Sequence, residues 1–211
     1  MLRGAAVAAG AMSALALPAL AREPGVPTNV PAGSTIGVPI AAQLPPGLYF
    51  SSRSGYSSER DYDADGNYTG AKVTIKDSAA QFLWIPDLKI FGAQYRAFLT
   101  LPLLSLDLEA GGGAFQADNT GLSSLEIRPI DLSWEIAPGI FTNAGISFHT
   151  PSDWDANEGI NTGGEFWAIS PSVGMSYLRD GWNLSLHGLY FTNTRNTETD
   201  YKSGDEILVN A

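Results

Sequence analysis

Trp167-Ala168-Ile169-Ser170-Pro171-Ser172-Val173-Gly174-Met175-Ser176-Tyr177 alternates large and small side chains at every step. Successive residues of a β-strand point to opposite faces, so Trp167, Ile169, Pro171, Val173, Met175 and Tyr177 share one face and Ala168, Ser170, Ser172, Gly174 and Ser176 the other. The same period recurs on both sides: Phe91 to Leu101, Ile140 to Phe148, and Trp182 to Tyr190 each place their larger apolar residues on alternate positions. Runs of about ten residues match the length a tilted strand needs to cross a bilayer, whereas strands of soluble sandwiches average about five or six. The reading is an all-β, antiparallel, up-and-down transmembrane β-barrel of the outer-membrane type.

Neighbouring features fit that reading. Trp84, Trp134, Trp167, Tyr177 and Trp182 fall near predicted strand ends, where aromatic girdles meet the membrane interfaces. Pro86-Asp87, Pro138-Gly139 and Arg179-Asp180-Gly181 read as tight turns. Between them lie longer polar stretches, at 61–70, 107–121, 150–165 and 192–206, expected as outward-facing loops. The phase breaks between Leu125/Ile127 and Ile130/Leu132/Trp134, which predicts a bulge at Pro129.

Composition narrows the classes. Of 211 residues 16% are charged and 10% aromatic, Gly numbers 23 and Pro 13, a mixture suited to short turns and strands and too poor in charge for a helical bundle. Cysteine is absent, which excludes disulfides and thiolate metal sites. A net charge of −10 disfavours nucleic acid as a partner. Arg3, the apolar run from Ala5 to Leu17 and the Ala19-Leu20-Ala21 cleavage pattern predict a signal peptide over 1–21. A Pro/Gly-rich leader or plug is expected over 22–43, and barrel strands over 44–211, about seven with an eighth begun at Ile207. That odd tally, against even numbers in bacterial barrels, leads to the expectation of a chain shorter than its barrel.

Several segments resemble the outer-membrane family named for the meta-pathway of phenol degradation, a FadL-like group of transporters for hydrophobic and aromatic compounds. They are LPPGLYF at 44–50, DYDADGN at 61–67, SFHTPSDWD at 147–155, FWAISPSVGMSYL at 166–178 with its RDG turn, and TETDYKSGDE at 197–206. The resemblance implies a cell outer-membrane location and further strands beyond the last segment. It also implies, as for FadL, an N-terminal segment entering the barrel, for which 23–43 is the candidate beside a plain periplasmic tether.

The inward phase selects lumen-lining candidates: Gln94, Arg96, Phe98, Asn143, Ser147, His149, Ser170, Ser172, Ser176, Ser185 and His187. Arg96, Gln94, Asp131 and Glu135 are read as an internal ion-pair network or substrate path. Asp61-x-Asp63-x-Asp65-Gly66 opens like a calcium loop, but its twelfth position is Lys72 and its flanks read as strands, so an acidic loop is expected and no metal site. Ser147 and His149 are two residues apart on one face, nearly 7 Å by strand rise, too far for a nucleophile–base bond, and GxSxG is absent. The expected function is passive uptake of hydrophobic or aromatic small molecules, with no enzyme activity and no cofactor. Outer-membrane lipid and lipopolysaccharide are the expected surroundings. The alternatives are a non-conducting structural or surface barrel and, behind it, an outer-membrane lipid hydrolase.

Overall fold

The computed structural model describes residues 22–211 except Pro24, Gly25, Asp153 and Ala156; the signal segment expected at 1–21 lies outside the described residues. Alternating sequence becomes one antiparallel sheet: β1 (Gly47–Tyr62), β2 (Tyr68–Ile85), β3 (Lys89–Ile90), β4 (Ala93–Ala110), β5 (Phe115–Leu122), β6 (Glu126–Ala137), β7 (Ile140–His149), β8 (Ala168–Arg179), β9 (Trp182–Asn193) and β10 (Glu206–Asn210). The order is β1-β2-β4-β6-β7-β8-β9-β10, with β3 and β5 both pairing β4. Every neighbour in that path follows in sequence apart from those two additions, as an up-and-down meander requires.

Polarity is inverted relative to a soluble protein. On β8, Ser170, Ser172 and Ser176 are buried while Val173 and Met175 are 63% and 50% exposed. Leu48, Phe50, Trp182, Leu184, Ile207 and Val209 also project outward and exposed, and Arg96, Asp131, Asn143 and His187 are buried on the concave side. Water would penalise that convex apolar surface, and hydrocarbon would not. The outward rings of Phe50 and Phe82 pack at 5.3 Å, a tilted cross-strand aromatic pair of the kind that holds register.

Pro129 sits at a bulge. The β6–β7 register shifts between Ile127 and Ile130, and β4–β6 shifts between Arg96 and Phe98. Proline cannot donate to the ladder, so the extra residue falls where a donor is missing.

Two outward loops are shorter than expected. The 107–121 stretch is mostly strand: β4 runs to Ala110, a 3-10 turn covers Gly111–Gly113, and β5 pairs back along β4. Leu104 and Leu106 explain the difference, since they alternate with Ser105 and Asp107 and bury against Ile160 from the β7–β8 loop, with Val73, Ile75, Leu108 and Ala117 around them. Likewise β1 extends to Tyr62 and β2 begins at Tyr68, leaving a connection of 63–67.

The free edges of β1 and β10 do not pair with each other; the sheet is an open, curled half-barrel. Gly33, from the segment preceding β1, spans between them. Its N–H donates to Asn210 Oδ1 on β10 at 2.8 Å, and its carbonyl accepts from Arg53 on β1 at 3.0 Å.

Candidate functional site: the concave polar wall

Antiparallel register stacks the inward positions of β7, β8 and β9 in rows. Ser147 lies beside Ser170, Gly145 beside Ser172 and Leu189, Asn143 beside Gly174 and His187, and Phe141 beside Ser176 and Ser185. The small residues of β8 leave room: a Cβ on Gly174 would meet Asn143 Oδ1 at 2.4 Å and Ile40 Cγ2 at 2.9 Å.

Across β4, β6 and β7 runs a charged network. Arg96 Nε donates to Asp131 Oδ2 at 2.7 Å, and Asn143 Nδ2 donates to Asp131 Oδ1 at 2.9 Å. Arg128 Nε donates to Ser147 Oγ at 2.6 Å while its Nη2 reaches Glu126 Oε1 at 3.2 Å. Ser147 in turn donates to Glu126 at 2.7 Å, and Thr100 to the other Glu126 oxygen at 3.3 Å. The Arg128 guanidinium also lies 4.6 Å from the Phe98 ring centroid. Two guanidiniums face two carboxylates, so the buried charges are balanced and each has several partners.

The segment before β1 lies on this wall. Arg96 donates to the carbonyls of Ala42 at 2.8 Å and Ile40 at 3.0 Å. Ser133 Oγ donates to Ala41 O at 2.6 Å, Ala41 N to Ser176 Oγ at 3.0 Å, and Gln43 Nε2 to Ser133 O at 2.8 Å. Gln94 brackets Leu44, accepting from its N–H at 3.2 Å and donating to its carbonyl at 2.7 Å. At the opposite end, Arg22 pairs with Glu206, and the buried Glu23 accepts from Asn196 at 2.8 Å and Thr199 at 2.5 Å. The described residues of 22–44 therefore lie along the concave face, with Arg22 and Glu23 by the loop after β9 and Leu44 at the turn end of β4.

All eleven predicted inward positions fall on this face. Gln94, Arg96, Phe98, Asn143 and Ser147 belong to the contacts above, and Ser176 shares a hydrogen bond with Ser185 at 2.9 Å. His149 stacks obliquely on Phe191 at 5.5 Å. The nitrogens of His149 and His187, with Ser170 Oγ and Ser172 Oγ, are buried and have no hydrogen-bond partner among the described residues. Such groups belong in a hydrated space. Ser147 is held by Arg128 and Glu126, and it shares no hydrogen bond with His149 among the described residues.

Glu135 stands apart from the network, accepting from Gly139 N at 3.2 Å at the exposed turn end. Arg128 and Glu126 were not legible as members, because the bulge at Pro129 reverses the phase from which an inward face is read; Ser133 shares the phase of Asp131 and was not singled out. Asp63 turns its carboxylate onto its own loop, accepting from the N–H groups of Asn67 at 2.8 Å and Asp65 at 3.0 Å, which accounts for the DYDADGN turn without a cation. At the loop end of the sheet, a cavity of about 660 Å³ opens between the β5 end and the β7–β8 loop, lined by Asn119, Leu122, Trp154, Asp155 and Glu158 among others.

The family model described as "Putative MetA-pathway of phenol degradation" matches residues 58–211. The fold is similar to the crystal structure of an outer membrane channel from Pseudomonas putida F1, with a TM-score of 0.63 at 16% identity, covering 74% of this chain and 60% of that one. This chain thus spans 60% of the channel's length. No curated protein matches the sequence significantly.

Proposed function

We propose, from the premise that this chain belongs to the family described as "Putative MetA-pathway of phenol degradation", that it forms wall and inner segment of an outer-membrane channel for passive uptake of small hydrophobic or aromatic molecules. The observation that carries the proposal is the inverted polarity of the sheet: an apolar convex face that suits lipid, and a concave face of serine, asparagine, histidine and paired charge that suits a hydrated path. Such a path needs no covalent step. It lowers the barrier that the outer leaflet presents to apolar solutes by supplying polar and aromatic contacts in turn.

The test is uptake of labelled single-ring aromatic and long-chain apolar compounds in a deletion strain and in one carrying the gene, with outer membranes intact. Restored uptake of either class supports a channel and identifies what it carries. Ser172→Trp, which places bulk on the concave wall in the row of Gly145 and Asp131, should lower that uptake; uptake unchanged with the variant folded would count against a path along β8.

A second reading has its own support. The 22–44 segment lies over the wall and the central charges are mutually paired, as in a non-conducting structural barrel. Removing residues 26–42 separates the two: conductance rises if the segment closes a channel and stays unchanged if no path exists.

A further inference from the structure

We infer that the loop after β9, with the first residue of β10, is a cradle that holds the processed N-terminus of this chain, Arg22 and Glu23. The inference goes beyond transport. It gives a role to TETDYKSGDE at 197–206, a segment of the family resemblance that the concave wall does not use. Arg22-Glu23 follow directly on the Ala19-Leu20-Ala21 cleavage pattern, so cleavage there makes Arg22 the first residue. Both residues bind the loop. The Arg22 guanidinium pairs with Glu206, and the Arg22 carbonyl accepts from Tyr201 Oη at 3.5 Å. Glu23 accepts from Asn196 Nδ2 at 2.8 Å and Thr199 Oγ1 at 2.5 Å, and its own N–H donates to Ser203 Oγ at 3.1 Å.

The loop is shaped by its own bonds. Asn196 N–H donates to Tyr201 O at 2.8 Å and Asp200 N–H to Asn196 O at 3.0 Å, closing a turn in which Asp200 takes a φ of 55°. The N–H groups of Thr194 and Thr197 tie it to the carbonyls of Trp167 and Glu165. A receptor fixed beforehand loses little freedom when it takes its ligand. Burial separates its two faces: Asn196 and Ser203 are 0% and 2% exposed beneath the chain end, whereas Glu198, Asp200 and Lys202 face solvent. A buried amide and a buried hydroxyl need partners, and Glu23 supplies them. Glu23 itself is 5% exposed and, among the described residues, is held by neutral donors with no cation paired to it. Arg22 is committed to Glu206. A buried carboxylate of this kind is costly without a counter-charge, and cleavage creates one, the α-ammonium of the adjacent residue. Just beyond, Val26 is 6% exposed and packs toward Gly164, where an added Cβ would lie 3.3 Å from Val26 Cγ1.

The chain has no cysteine, so Val26→Cys adds a single thiol that reports whether the chain end is seated. The test extracts this protein from outer membranes in detergent, reads its N-terminus by intact mass and follows labelling of the thiol by a charged maleimide. The mass should place the N-terminus at Arg22, and labelling should be slow. Glu23→Ala and Asn196→Ala should each speed labelling by about tenfold or more, since each removes a hydrogen bond to a buried charge. The uncleaved chain, refolded in the same detergent, lacks the α-ammonium at Arg22 and should also label faster. Arg22→Glu and Glu206→Arg should each speed labelling, and the two together should slow it again. Retained heat-dependent gel migration shows that each variant is folded. An N-terminus elsewhere, equal labelling of the processed and uncleaved chains, or a rate unmoved by Glu23→Ala and Asn196→Ala overturns the inference. Absence of uptake or conductance would instead overturn the channel reading and leave the cradle standing.

Discussion

Asp131 illustrates how much of the concave wall depends on single atoms. It is 1% exposed and has Arg96, Asn143 and Arg128 around its carboxylate. Asp131→Ala leaves two guanidiniums without that counter-charge, an expected loss of ~3 kcal/mol or more in urea unfolding from detergent. Arg96→Met in the same background should recover part of that loss, since the pair is then removed together; a fully additive double variant would show that the pair is not coupled. Asp63 behaves differently because it is exposed. Hydrogen bonds from the Asn67 backbone N–H and side-chain amide, with further backbone donors at Asp65 and Gly66, hold its carboxyl below the usual carboxylate range. A depressed folded value means the turn gains order that is fully present above the unfolded carboxylate pKa of ~4 and lost as pH falls through the lower folded one. Protection of the Asp65 and Asn67 amides, measured relative to their intrinsic exchange rates, should therefore fall in acid below that range, and Asp63→Ala should abolish that change in protection.

At the level of elements, the hairpins are set by their turn residues. Gly139, between β6 and β7, has φ +76°, and a Cβ there would meet Leu178 O at 2.6 Å. Gly139→Ala is expected to destabilise by about 1 kcal/mol or more, read from the thermal midpoint in detergent. Gly181 also has a positive φ of 82° but nothing within 4 Å of the added atom, so Gly181→Ala should cost less than Gly139→Ala. The bulge in β6 shows why one phase carries along the whole of β7, β8 and β9, whereas in this strand the phase that places Asp131 inward does not extend back to Glu126 and Arg128. Alternation transmits a face only while the register is unbroken, and Pro129 breaks it two residues before Asp131. The hairpin of β4 and β5 was hidden by composition for a related reason: its polar residues are the outward half of an alternating strand whose apolar half packs under Ile160, a residue from a distant loop.

On the scale of the whole molecule, the convex surface predicts where the tryptophans report. Trp84 and Trp182 are 53% and 63% exposed near the turn ends of their strands, and Trp167 is 45% exposed at the opposite end. Brominated lipids reconstituted around the protein should quench Trp84 and Trp182 from the inner interface; bromines at the bilayer centre should quench them less, and the reverse order would contradict the placement of the girdle. Sequence by itself determined the fold class and the faces of β7, β8 and β9, because a period of two carries the face of each residue locally, and serine, asparagine and histidine opposite valine, methionine and tryptophan are informative wherever the lipid lies. Only the tertiary structure decided which inward residues meet. The Arg96–Asp131 and Arg128–Glu126 pairing depends on the bulged register of β6, and residues 22–44 carry no period that could place them. Their position is fixed by main-chain hydrogen bonds to side chains more than fifty residues away, contacts that exist only once the sheet has curled around them.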